Sequence, residues 1–246
     1  MTAVLVIAGS DSSGGAGLTR DVATLERLGI GVLCALTAVT AQTDAQVLAV
    51  HPLPPDIVRA QITAALATGR VGAVKIGMLG TAAAVMAVAE SLPPRAAVPL
   101  VLDPVLAASA GGELLDPSGR EALRQVLLPR VTLLTPNIPE AAALLGESAA
   151  RGEAELLRQG RMLLAFGPQA VLLKGGHGGG ALAIDLLLTG GGDPRRLTAP
   201  RSSAVRRGTG CTLSSAIAAG LARGLDLTHS CEQAKRYVTN FIRHGV

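Results

Sequence analysis

The run Arg207-Gly208-Thr209-Gly210-Cys211-Thr212 joins a glycine-flanked turn to a thiol at the start of an apolar segment. Beyond Cys211, the residues Leu213, Ala216, Ile217, Gly220 and Leu221 recur at helical spacing, and Gly224 supplies a stop. A helix N-terminus leaves backbone N–H groups unpaired and carries a partial positive charge, so it attracts an anion. Gly208 and Gly210 let that backbone approach a phosphate without side-chain obstruction. The same field is expected to lower the pKa of a thiol placed there, making Cys211 a candidate base or nucleophile. A capping turn followed by a buried small residue fits these residues equally well.

Other residues with chemical capacity fall in short polar or glycine-rich clusters. The first is Gly9-Ser10-Asp11-Ser12-Ser13-Gly14-Gly15-Ala16-Gly17. Later clusters are Gly77-Met78-Leu79-Gly80, Asp103-Pro104-Val105, Asn137-x-x-Glu140 and Lys174-Gly175-Gly176-His177. Asn137 and Glu140 have the spacing of a capping box, in which each side chain satisfies the other's backbone N–H. Lys174 reads as a strand-end lysine reaching solvent or as a cation for an anionic ligand. Asp103 ends a strand or stands near a bound cation.

These clusters have to be positioned by alternating strands and helices. Val4–Ala8 reads as a buried strand, and a helix runs from the first glycine loop to about Leu28. Val32–Val39 is a second strand, Thr43–Pro52 irregular β structure, and Asp56–Thr68 an amphipathic helix. Val74–Ile76 leads through Gly77 into an alanine-rich helix ending near Ser91. Pro99–Leu102 is a strand, Ser109–Gly112 a polar loop, and Ser118–Leu127 a helix. Val131–Leu134 and Ala170–Lys174 are strands that bracket helices Asn137–Leu145 and Glu153–Phe166. Leu182–Thr189 and Arg196–Ala199 form an antiparallel pair, and the chain closes with the Cys211 helix and one at about Leu227–Arg243. Apolar strands separated by helices predict an α/β fold, a mostly parallel sheet covered on both faces. Ligands of such sheets lie at the carboxyl ends of the strands, and every cluster above follows a strand. That pools them into one site. No repeat or long linker divides residues 1–246, so one domain is expected.

Composition narrows the function classes. The chain has 246 residues, 49% hydrophobic and 16% charged, with Phe166, Tyr237 and Phe241 as its aromatics and no tryptophan. Base-stacking platforms are therefore lacking, and with a net charge of only +4 from scattered arginines, no nucleic-acid partner is expected. Cys34, Cys211 and Cys231 match no zinc or disulfide spacing, which fits reduced thiols and a cytoplasmic location. The chain enters a strand pattern at Ala3 without a charged, apolar leader, and no apolar run reaches the ~18–20 residues of a membrane span. No membrane partner is expected.

Common motifs are missing. There is no G-x-x-x-x-G-K-[ST] and no G-x-S-x-G. Gly176–Ala181 formally matches G-x-G-x-x-A, but it leads into a strand rather than a helix, which is the wrong context for a dinucleotide.

Taken in order, the clusters resemble the hydroxymethylpyrimidine/phosphomethylpyrimidine kinases of thiamine biosynthesis, members of the ribokinase-like superfamily. The stretches are Ala8–Gly17, Lys75-Ile76-Gly77-Met78-Leu79, Leu102-Asp103-Pro104-Val105, Thr135-Pro136-Asn137-x-x-Glu140-Ala141, Lys174-Gly175-Gly176-His177 and Gly208–Ser214. They extend over nearly the whole chain. The resemblance implies a ribokinase-like three-layer α/β/α fold and an ATP- and magnesium-dependent phosphotransferase. It implies Cys211 as general base and the amides of Gly208, Thr209 and Gly210 as an anion hole. It places Lys174, Asn137 and Glu140 at the nucleotide, and Glu140 and Asp103 near magnesium. Gly9, Asp21, Gln42, Met78 and Val105 would form the pyrimidine pocket, and a homodimer through the lid region is implied.

Three stretches depart from the family pattern. Arg207 stands where a histidine is usual. Thr19-Arg20-Asp21-Val22-Ala23 loses a lysine, and Ala41-Gln42-Thr43-Asp44-Ala45-Gln46 loses the lid glycine. Related readings are a pyridoxine/pyridoxal kinase, which shares the Gly-Thr-Gly-Cys loop, and a catalytically quiet ligand-binding paralogue.

Overall fold

Strand β1 (Ala3–Ala8) is buried along its whole length, as an unbroken apolar run should be when both faces of its sheet are covered. The computed structural model describes residues 2–94, 97–108, 111–177 and 180–245. After β1 come α1 (Gly17–Arg27), β2 (Gly31–Leu36), β3 (Ala38–Gln42), β4 (Val47–Pro52) and α2 (Pro55–Ala67). The middle of the chain holds β5 (Val71–Ile76), α3 (Ala82–Ser91), β6 (Leu100–Leu102), α4 (Pro117–Ala122), β7 (Leu133–Leu134) and α5 (Ile138–Leu145). It ends with α6 (Glu153–Leu164), β8 (Ala170–Leu173), β9 (Leu182–Thr189), β10 (Arg195–Pro200), α7 (Thr209–Ala222) and α8 (Leu227–His244).

Eight strands form one sheet in the order β10-β9-β8-β7-β6-β5-β1-β2. All pairings are parallel except β8–β9 and β9–β10, so β9 alone runs against the others. Alternate residues of β1 enter different cores. Leu5 and Ile7 pack with Val58, Ile62, Val85, Leu144 and Leu163 of α2, α3, α5 and α6. Val4, Val6 and Ala8 pack with Leu25, Leu213, Ile217, Ala234 and Val238 of α1, α7 and α8. Helices therefore cover both faces, giving three α/β/α layers. Each fully buried Val, Leu or Ile contributes about 1.5–3 kcal/mol, so the two cores dominate the stabilising side.

The strand expected over Val32–Val39 divides at Thr37. Its buried hydroxyl donates to the Met78 carbonyl at 2.6 Å, and its N–H donates to the Ala8 carbonyl at 3.1 Å. The chain leaves the main sheet there. The expected irregular segment is regular from Val47: β3 and β4 pair antiparallel as a separate two-stranded flap. The helix expected over Ser118–Leu127 is α4 followed by a wider π turn at Leu123–Leu127, with Asp116 as N-cap. Residues 109–110 of the expected polar loop, and 178–179 of the glycine run after Lys174, lie outside the described residues. Among the described residues no helix is long and apolar enough to cross a membrane.

Candidate active site

Helix α7 begins without a side-chain cap. Its N-cap, Gly208, has φ +73°, a left-handed conformation that favours glycine, and a Cβ there would lie 2.3 Å from the Gly15 carbonyl oxygen. The first-turn amides of Thr209, Gly210 and Cys211 thus remain available to an outside acceptor. Helix α1 starts at Gly17, also without a side-chain cap, and the Gly17 backbone amide lies close enough to the Cys211 thiol to favour its charged form. Two helix N-termini therefore converge where the thiol sits.

The expected depression of the Cys211 pKa is corrected by the structure. Burial pushes this thiol up to about 12, with the carboxylates of Asp21 and Asp103 adding to the rise. The Lys75 ammonium and the Gly17 amide oppose that shift but do not overcome it. Desolvation outweighs the helix field because Cys211 is only 9% exposed.

Facing α7 is a second charged group. Lys174 donates to Asp103 Oδ1 at 2.6 Å, and its Nζ lies 3.7 Å from Glu140 Oε2. A Cβ added to Gly210 would fall 3.1 Å from Asp103 Oδ2 and 3.3 Å from Lys174 Nζ, so the start of α7 lies directly against this cluster. Burial would push Lys174 down, but the two carboxylates more than reverse it and keep the ammonium charged. Burial raises Glu140 to about 6, with Lys174 and the Asn137 amide pulling the other way.

Both readings of Asn137 and Glu140 meet here. The Asn137 N–H donates to Glu140 Oε2 at 2.7 Å, and the Glu140 N–H donates to Asn137 Oδ1 at 2.8 Å, a complete capping box. The cap holds the carboxylate in place beside Lys174 and leaves it in the cavity wall.

All of this lines one cavity of about 1120 Å³, at the carboxyl ends of the strands. It brings together Gly9, Gln42, Met78, Val105, Asp103, Asn137, Glu140, Lys174, Gly208, Thr209, Gly210 and Cys211. Met78, Leu114 and Val105 of its wall belong to a small apolar patch that also holds Ala38. A Cβ on Gly9 would lie 2.9 Å from Met78 Sδ, so a larger residue there would have to displace the Met78 side chain.

Asp21, expected in the ring pocket, is not in the cavity wall. It is fully buried on α1, accepting from Lys75 Nζ at 2.7 Å and from Ser215 Oγ at 2.8 Å. Its helical position turns it inward to the lysine, and Lys75 is the member of the pair that reaches the cavity. Burial raises Asp21 despite Lys75, while Asp21 over-compensates the burial of Lys75 and holds that ammonium charged.

Residue reasoning also missed the organiser of the first glycine loop. Asp11 is 5% exposed and accepts from the N–H groups of Ser13 and Ala16, both at 2.9 Å. An aspartate followed by Ser-Ser-Gly-Gly was the available signal, since Asp side chains fold such turns onto themselves. Also in the cavity wall, Lys235 and Asp185 form a 2.7 Å pair, and an aspartate inside the apolar β9 was the corresponding clue.

A family model described as phosphomethylpyrimidine kinase matches residues 11–246. The chain is 45% identical over 236 residues to the hydroxymethylpyrimidine/phosphomethylpyrimidine kinase of Salmonella typhimurium, covering 96% of this chain and 88% of the relative. It is also 45% identical to that of Streptomyces coelicolor, covering 98% and 89%. Among solved structures, phosphomethylpyrimidine kinase from Clostridium difficile superposes with a TM-score of 0.84 at 36% identity, covering 98% and 100%. An ADP complex of Bacillus subtilis pyridoxal kinase superposes with a TM-score of 0.90 at 30% identity, covering 99% and 92%. The three-layer fold is ribokinase-like.

Proposed function

The chain belongs to the phosphomethylpyrimidine kinase family, and from that premise we propose that it phosphorylates 4-amino-5-hydroxymethyl-2-methylpyrimidine with ATP, and then its monophosphate, for thiamine biosynthesis. One observation supports this reading most: the uncapped start of α7, with Cys211 in its first turn, lies against the Lys174–Asp103–Glu140 cluster in one cavity.

Phosphoryl transfer needs in-line positioning and charge neutralisation more than covalent chemistry. In our reading the Thr209, Gly210 and Cys211 amides receive the charge on the transferring group's oxygens, and Lys174 balances the nucleotide phosphates. In the first transfer the substrate hydroxyl oxygen bonds to the γ-phosphorus, its proton passes to the Cys211 thiolate, and ADP departs with the electron pair of the broken P–O bond. The Met78–Val105 patch with Gly9 receives the ring, and the Gln42 amide supplies paired donor and acceptor atoms.

Magnesium would be held by Asp103 and Glu140 together with nucleotide phosphates, and would supply charge neutralisation there. Among the described residues no three His, Cys, Asp or Glu side chains form a self-sufficient metal cage. Two carboxylates beside an anion hole suit a cation that arrives on a nucleotide, since magnesium keeps few protein ligands.

We further read residues 1–246 as one kinase domain, consistent with its eight-stranded sheet. We place it in the cytoplasm and expect a homodimer through the β3–β4 flap, which exposes Val39 and Leu48. Sedimentation velocity tests the dimer.

The decisive assay is ADP release with ATP and magnesium, offering the pyrimidine alcohol, its monophosphate or pyridoxal, alongside Cys211→Ala. Turnover of both pyrimidines, with the alcohol reaction collapsing in the variant, is the expected result. Turnover of pyridoxal alone would move the protein to the vitamin B6 kinases, which its likeness to pyridoxal kinases keeps in view. Folded protein releasing no ADP with any of the three would indicate a ligand-binding paralogue.

A further inference from the structure

Arg207, immediately before the N-cap of α7, reaches from the anion loop to two other loops at the cavity wall. Its Nη2 donates to Asp11 Oδ2 at 2.9 Å. Its Nη1 donates to Ser13 Oγ at 2.6 Å, to Asp44 Oδ1 at 2.7 Å and to the Thr43 carbonyl at 3.3 Å. The two carboxylates differ in kind. The Asp11 side chain is 3% exposed and fixed by backbone donors of its own loop, whereas that of Asp44 is 85% exposed in the turn between β3 and β4. An ion pair with so exposed a partner is weak and exchangeable, while the buried one anchors the guanidinium. Arg207 Nε is itself buried and has no hydrogen-bond partner among the described residues, so the fork retains donor capacity.

We propose that the Asp44–Arg207 contact is a charge gate that sets the preference between the neutral ring alcohol and its phosphate monoester. The inference rests on the kinase reading and names the residues that tune its two steps. Asp11 already pairs the guanidinium, so Asp44 sets a second carboxylate on it at the edge of the cavity, near Arg20, which packs against Gly208. Arg206, on the same wall, is turned away to the Ile242 carbonyl and the Phe241 ring. A dianionic monoester meets that negative charge, and a neutral alcohol does not. When the monoester binds, its phosphate oxygens take the Nη1 side of the fork, and Asp44 moves into water at little cost. Asp11 keeps the guanidinium in place throughout.

Titration calorimetry of the intact protein with the alcohol and with the monoester, in wild type and Asp44→Asn, tests the gate. The variant should tighten the monoester about three- to tenfold relative to the alcohol at low ionic strength. That gain should shrink at about 0.5 M salt, because screening already weakens the Asp44 charge. The ratio of kcat/KM values for the two substrates should move the same way. Asp44→Ser, which also removes the charge, should reproduce the effect. Equal changes for both ligands would reduce Asp44 to a lid tether and overturn the proposal, as would no change at all. Wild-type protein releasing no ADP from any ring alcohol would sink the kinase reading, while the affinities would still decide the gate.

Discussion

Lys75 Nζ lies 2.7 Å from Asp21 Oδ2, and both side chains are fully buried. The Ser215 hydroxyl satisfies the other carboxylate oxygen, and the Lys75 ammonium is one of two groups that lower the Cys211 pKa. The pair thus ties α1, β5 and α7 together beneath the thiol. Breaking a buried pair leaves an uncompensated charge, which is costlier than removing both partners.

Asp21→Asn and Lys75→Met are therefore each expected to destabilise the fold by about 3–5 kcal/mol. The double variant should cost less than the sum of the two. Guanidinium denaturation, read as shifts in midpoint at constant slope, checks this. Additive losses would mean that the two groups do not act as a pair.

A thiol pushed up to about 12 is protonated at neutral pH, so below that value the working thiolate becomes roughly tenfold more abundant with each unit that the pH rises. Two rates should climb together between about pH 7 and 9. One is iodoacetamide labelling of Cys211, read by peptide mass mapping, and the other is kcat/KM for the ring alcohol. A plateau near the ordinary thiol value of 9.0 would show that Lys75 and the helix termini win over burial. The exposed Cys34 should label before the buried Cys211 and Cys231.

The two phosphoryl transfers place different demands on Cys211. A hydroxymethyl group must lose its proton, but a phosphate monoester above its second pKa of about 6 presents an oxygen already free of one. Cys211→Ala should therefore cost the first transfer about 10²–10⁴-fold, in the range of general base catalysis, and the second far less. Separate progress curves from alcohol and monophosphate at pH 8 give the comparison. Equal losses would assign Cys211 a role in holding the phosphoryl group rather than taking a proton.

The features legible from sequence were those decided locally. The start of α7 was readable because glycine, threonine and an apolar period occur within one segment. The capping box of Asn137 and Glu140 was readable because its two partners are only three positions apart. What sequence concealed depends on partners far away. The break at Thr37 follows from its bond to Met78, 41 residues on, and Asp21 turns inward to a lysine 54 residues away. The Cys211 pKa follows from how deeply α1 and α7 bury it, which no local pattern encodes. A lysine within the buried strand β5 was nevertheless a signal, because such a cation requires a carboxylate.

Lys174 offers the sharpest test of where the nucleotide binds. Its ammonium is shared by Asp103 and Glu140, so Lys174→Met removes the only cation that these contacts place between two largely buried carboxylates. Both consequences oppose nucleotide binding. The phosphates lose a positive partner, and they meet two unbalanced negative charges instead. Truncating one member of such a buried charge pair costs about 2–5 kcal/mol, which corresponds to a rise of ~30-fold or more in the dissociation constant for ATP. Affinity for the ring alcohol should change much less, because the Met78–Val105 patch lies in a separate apolar cluster. Calorimetric titration with each ligand separates the two effects. An unchanged ATP affinity would place the phosphates elsewhere in the cavity and return Lys174 to a structural role, holding Asp103 after β6 and Glu140 in the first turn of α5.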